Sequence, residues 1–94
     1  MLIPVGAPNL LDDGPWDAAR LATAELLHPT PDRRDWRYWL ERMGLSSQVS
    51  LKGGQVFDTL ELGMIAAARG YGVSMGDLLM VAEDVAQGRL GLPW

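Results

Sequence analysis

A helix that is apolar on nearly every side constrains this chain more than anything else in it. Asp58-Thr59-Leu60-Glu61 has the spacing of a capping box, with an acidic cap in place of the hydroxyl. A helix is therefore expected from Asp58 to Arg69, ended by Gly70. Along it Leu60, Gly63, Met64 and Ala67 share one side at roughly 100° per residue. Leu62, Ile65 and Ala66 make a second apolar side, which leaves little beyond Thr59, Glu61 and Arg69 for water. Such a helix needs cover on both sides. A domain of 94 residues with helices in its outer layers covers only one. Either the second side meets another subunit, or the helix lies deep inside the small fold.

The remaining segments alternate between strand and helix signals. Leu2 to Pro8 reads as extended, and its prolines confine it to a sheet edge or a connection. Asp12-Asp13-Gly14-Pro15 is turn chemistry leading into a short helix from Pro15 to Leu21, and Ala24 to His28 is a short strand closed by Pro29 and Pro31. Asp32 is placed to cap the next helix, where Trp36, Trp39, Leu40 and Met43 recur on one face and Gly44 supplies the stop. Ser47 to Leu51 alternates polar and apolar as a half-buried strand does, and Lys52-Gly53-Gly54-Gln55 breaks it. Val73 to Met75 is a further short strand. Asp77 can cap a helical turn from Leu78 to Met80, with another short helix from Ala82 to Gln87 stopping at Gly88. The segment from Arg89 to Trp94 is extended again. This order argues for an α/β fold, a small mixed sheet with helices on both faces, forming one domain over residues 1–94. Two extended, proline-marked ends are what an inserted lobe shows.

Charge and composition exclude several functions. The net charge is −4 and no basic stripe relieves it, so this piece is a poor match for phosphate backbones. There is no cysteine, which removes disulfides, thiolate metal sites and cysteine nucleophiles together. No apolar run approaches the roughly 20 residues of a membrane span, and the start lacks a secretory pattern. A soluble, cytoplasmic domain without membrane contact is expected.

Few residues suggest chemistry. His28 is the only histidine, and without matching ligands it reads as a hydrogen-bonded structural residue, so no metal is expected. The acidic pairs Asp12-Asp13 and Glu83-Asp84 sit beside turn or helix-start signals, where capping accounts for them. Ser46, Ser47 and Ser50 have no base partner. No catalytic residue and no cofactor is expected. Gly53-Gly54 matches neither phosphate-loop fingerprint, but a glycine-bearing loop entering a helix N-terminus can offer N–H groups to an anion; a flexible turn is the equal alternative. Trp36 and Trp39, at helical spacing with Leu40, read as core.

Several of these segments together resemble a known family. Leu26-Leu27-His28, then Asp35-Trp36-x-x-Trp39-Leu40 and Gly44, are similar to the effector-binding domain of LysR-type transcriptional regulators. The likeness is to the branch holding the glycine-cleavage activator and the β-lactamase regulators. Ala66-Ala67-x-x-Gly70-x-Gly72-Val73 resembles that family's helix-to-strand segment. Asp84-Val85-x-x-Gly88-Arg89-Leu90 with Pro93 resembles its closing segment, and Pro4-Val5 with Pro8 its entering strand. Order and spacing carry the likeness; no single motif is diagnostic.

The resemblance implies one lobe, the second, of a periplasmic-binding-protein-like (type II) sensor, with the first lobe and the DNA-binding domain outside this sequence. It implies a small-molecule effector, an anion or an amino-acid-like compound, held between the lobes. Ala7, Pro8 and Asn9 would form one wall of the cleft, and Gln55, Phe57, Asp58 and Thr59 the other. It also implies a homo-oligomer with Leu62, Ile65, Ala66, Arg69 and Val73 at the contact, and DNA bound only through the other domain. The rival readings are a solute-binding lobe of a transport system and a self-standing interaction module.

Overall fold

The computed structural model describes residues 2–11 and 16–93. The turn expected at Asp12-Asp13-Gly14-Pro15, the helix start at Pro15 and the final Trp94 lie outside the described residues. Strand β1 (Leu2–Val5) leads into a 3-10 turn (Pro8–Leu10) and helix α1 (Ala18–Thr23). Then follow β2 (Leu26–His28), α2 (Arg34–Met43), β3 (Gln55–Val56), α3 (Leu60–Ala68), β4 (Val73–Asp77) and α4 (Leu78–Ala86).

The strands form one mixed sheet in the order β1-β4-β2-β3. β4, β2 and β3 are parallel, while β1 runs antiparallel along β4, with Leu2 opposite Asp77 and Val5 opposite Ser74. Pro4 is tolerated because β1 is an edge strand, as its prolines required. Side chains of a strand alternate between faces, and that alternation divides the core in two. Leu26, Val73 and Met75 pack with Trp16, Leu21, Trp36 and Leu40 on the α1–α2 face. Val5 and Leu27 pack with Met64, Ala66, Ala67, Val81 and Leu90 on the α3–α4 face. The α/β expectation with helices on both faces matches this arrangement.

Local chemistry explains most boundaries. Asp17 caps α1 by accepting from the N–H of Arg20 at 2.8 Å, and Asp77 caps α4 by accepting from Leu79 N–H at 3.0 Å. Gly44 ends α2 in the left-handed conformation at φ 73°. Trp36 and Leu40 are buried as expected; Trp39 is half-buried and Met43 exposed.

Four expectations need correction. Ser47 to Leu51 is not a strand. Gln48 N–H closes a turn on Leu45 C=O at 2.9 Å; Val49 turns inward to plug the α1–α2 face, and Leu51 packs partly against it. The third parallel strand is instead Gln55–Val56, which begins where a loop was expected to continue. Asp32 is not the cap residue of α2: Arg33 holds that position with φ 59°, and Asp32 reaches past it to the N–H of Arg34 at 3.2 Å. Asp58 does not cap α3. Thr59 does, its Oγ1 accepting from Leu62 N–H at 3.2 Å. Finally, the two short helices expected after Asp77 are one, because nothing breaks the chain before Gly88 and Val81 anchors the middle in the core.

Candidate functional site

In open α/β sheets ligands sit outside the carboxyl ends of the parallel strands. Here that edge is formed by the residues after β2 (Pro29, Thr30), after β3 (Phe57, Asp58, Thr59) and at the end of β4 (Asp77). Phe57 N–H donates to His28 C=O at 2.8 Å, which ties the β3 exit to the β2 exit. Helices α2, α3 and α4 all begin at this edge, so three sets of partly unsatisfied N–H groups point the same way.

The three starts differ in how they are satisfied. At α2 and α4 a carboxylate already accepts a backbone N–H. The Arg34 N–H, with help from the Thr30 hydroxyl, holds Asp32 below the usual carboxylate range. The Leu79 N–H does the same for Asp77. At α3 the cap is the neutral hydroxyl of Thr59. Asp58, next to it, is exposed and its carboxylate makes no hydrogen bond among the described residues. Of the three, α3 is the start whose first turn keeps no carboxylate bond.

Ala7, Pro8 and Asn9 are elsewhere. They follow the end of β1, which lies beside the start of β4, whereas Phe57, Asp58 and Thr59 follow the far ends of the parallel strands. Because β1 is antiparallel, the two groups expected to face each other across one cleft lie at opposite ends of the sheet. Ala7 is also buried. Gln55 pairs with Leu27 within the sheet and is exposed; Phe57 is half-buried against the α3–α4 face. The carboxyl edge therefore keeps Phe57, Asp58 and Thr59 from the expected set and adds Thr30 and Asp77. Strand direction was the missing signal.

His28 is fully buried. Its Nε2 lies 3.1 Å from the carbonyl of Gly53, which can only accept, so Nε2 carries the proton. Nδ1 has no partner. Burial lowers the pKa, outweighing the Gly53 bond; Arg33 adds to the lowering and Asp35 opposes it. The residue is thus a neutral, structural histidine. Gly54, at φ 89°, passes so close to Leu26 C=O that any Cβ would collide with it. Gly54 thus serves close packing against β2, and the loop presents the Gly53 carbonyl, a poor anion contact. No group of three or more potential metal ligands occurs among the described residues. Asp84 is engaged by Arg89 at 2.6 Å, and Glu83 by Gln87 at 3.2 Å.

Helix α3 buries one apolar side and leaves the other open. Gly63, Met64, Ala66 and Ala67 pack inward, while Leu62 and Ile65 stay 47% and 50% exposed, with Arg69 beyond them. Ala66 and Val73 were expected at a subunit contact, but both are consumed by this fold's own core. No helix among the described residues is long and apolar enough to cross a membrane.

Residues 2–94 match the model of the LysR substrate binding domain. The chain is 35% identical over 94 residues to the HTH-type transcriptional regulator TrpI of Pseudomonas aeruginosa, covering 97% of this chain and 32% of that protein. It is 32% identical over 95 residues to the glycine cleavage system transcriptional activator of Escherichia coli, covering 99% and 30%. The chain thus spans about a third of the length of these regulators. Among solved structures, the effector domain of AmpR from Pseudomonas aeruginosa superposes with a TM-score of 0.80 at 26% identity, over 99% of this chain and 43% of that one. The AmpR effector binding domain of Citrobacter freundii gives 0.82 at 23%, over 99% and 46%, a likeness of fold. The chain belongs to the LysR substrate-binding domain family.

Proposed function

We propose that this chain is one lobe of the effector-sensing domain of a cytoplasmic LysR-type transcriptional regulator, without catalytic activity of its own. A small molecule is held at the carboxyl edge of the sheet, against a first lobe outside this sequence. Closure of the two lobes shifts the population of arrangements seen by a DNA-binding domain elsewhere in the protein. The observation that carries the reading is the α3 start. It is the helix N-terminus at that edge capped by a hydroxyl and not by a carboxylate. An anionic or amino-acid-like effector would find its backbone N–H groups there. The named relatives are regulators, which favours this role over a transport lobe. In the same proposal Leu62, Ile65 and Arg69 meet a second subunit.

The test is a thermal-shift screen of the full-length protein with amino acids and cell-wall fragments. At least one compound should raise the melting temperature, and its effect should shrink in Thr59→Val and Phe57→Ala relative to each variant's own baseline. A stabilising compound whose effect is untouched by both substitutions would sink the site. A panel without any stabilising member would remove the amino-acid-like effector class.

A further inference from the structure

A cavity lies between α2 and the edge strand β1. It measures roughly 330 Å³, at the small end for an organic ligand. Its floor is apolar, from Leu2 and Met75, and Trp39 forms one wall. Its rim comes from α2, where Arg34, Tyr38 and Arg42 follow at i, i+4 and i+8 and so share one ridge. The two arginine Cα atoms are about 12 Å apart by helical rise, within reach of a common anion for two long side chains.

The fold does not need this ridge. The buried stripe of α2 is Trp36 and Leu40, while Arg34, Tyr38 and Arg42 are all exposed, Tyr38 at 70%. Arg42 makes no ion pair among the described residues, and Arg34 has only an exposed contact with Asp32 at 3.8 Å. The acid on the rim, Asp35, is bonded to the Thr30 hydroxyl at 3.1 Å. Trp39 is held edge-on against Trp36, ring centroids 5.7 Å apart, so this wall is fixed in place. Two guanidinium groups over an apolar, aromatic-walled hollow select a planar carboxylate on a flat ring.

We propose that the groove between α2 and β1 binds a small aromatic carboxylate, its carboxylate between Arg34 and Arg42 and its ring against Tyr38 and Trp39. The groove borders the carboxyl edge at the start of α2, but it takes no residue from the α3 start and is lined from α2, β1 and Met75 alone.

Titration calorimetry of the protein with 1-naphthoate, and with 1-naphthamide of the same shape but no charge, tests it. The carboxylate should bind about tenfold more tightly, the gain expected of charge-assisted hydrogen bonds. Arg34→Gln with Arg42→Gln should bring naphthoate down to the amide's affinity, and Tyr38→Ala should weaken both compounds. These side chains are exposed, so the fold should survive the changes. Thr59→Val should leave naphthoate binding as it was. Equal affinity for the two compounds, no binding, or naphthoate binding that resists the double glutamine change would overturn the proposal. So would binding lost in Thr59→Val, which would move the ligand to the α3 start.

Discussion

The imidazole Nε2 of His28 donates to the carbonyl of Gly53 at 3.1 Å, pinning the loop that leads into β3 against the end of β2. Burial lowers the histidine's pKa from its ordinary value of 6.5, so the folded chain holds this proton less readily than the unfolded one. Stability should then be level above about pH 6.5 and decline as pH falls from there through the lowered pKa. Asp32 and Asp77 are lowered from 3.8, so their contributions are lost only in stronger acid. Urea midpoints between pH 7.5 and 5.5 check this. His28→Gln, which keeps a donor for Gly53, should flatten the slope; an unchanged slope would remove His28 as its source.

Gly63 of α3 lies over β4 so closely that an added Cβ would come within 2.8 Å of Ser74 Oγ. Alanine normally favours a helix over glycine by about 1 kcal/mol. Here crowding a fully buried serine should outweigh that gain, as overpacking costs about 1–3 kcal/mol. Gly63→Ala alone should destabilise the fold by about 1 kcal/mol. Ser74→Ala removes the oxygen, whose only bond among the described residues is to the neighbouring Met75 C=O, so the double variant should recover to the parent's stability or exceed it. Additive losses in chemical denaturation would contradict the contact.

These two contacts show where the sequence was legible and where it was not. Gly63 was assigned to the inward side of α3 from helical period alone, as were Trp36 and Leu40 of α2. Gly44 and Asp77 declared their helix ends through local chemistry. Strand β3 had no such signal. It is two exposed residues, Gln55 and Val56, made a strand only by the β2 edge beside them. Ser47 to Leu51 had the alternating pattern without a sheet edge to join. The expected pairing of Ala7–Asn9 with Phe57–Thr59 failed for a related reason: the antiparallel sense of β1 is a tertiary fact that no local pattern encodes.

Thr59 and Asp58 offer a direct comparison of the expected cap with the observed one. Thr59→Val removes the oxygen that accepts from Leu62 N–H and should cost about 1 kcal/mol of stability. Asp58→Asn should change stability by no more than about 0.5 kcal/mol, since its exposed carboxylate caps nothing. The reverse order in thermal melts would restore Asp58 as the cap.

The open side of α3 yields the sharpest test of subunit pairing. Leu62 and Ile65 are about half exposed, so charging them should alter the stability of a lone subunit by only about 0.5 kcal/mol. If this side is covered by a second copy, Leu62→Glu with Ile65→Glu places two carboxylates in an apolar contact, and the assembly should dissociate. Sedimentation velocity of the parent and the double variant at matched concentration reads this directly. Ala66→Glu is the instructive contrast. Ala66 faces the core at 7% exposure, so its charge should unfold the lobe before it reports on any partner. A double variant that sediments as the parent does would mean that Leu62 and Ile65 lie outside the contact.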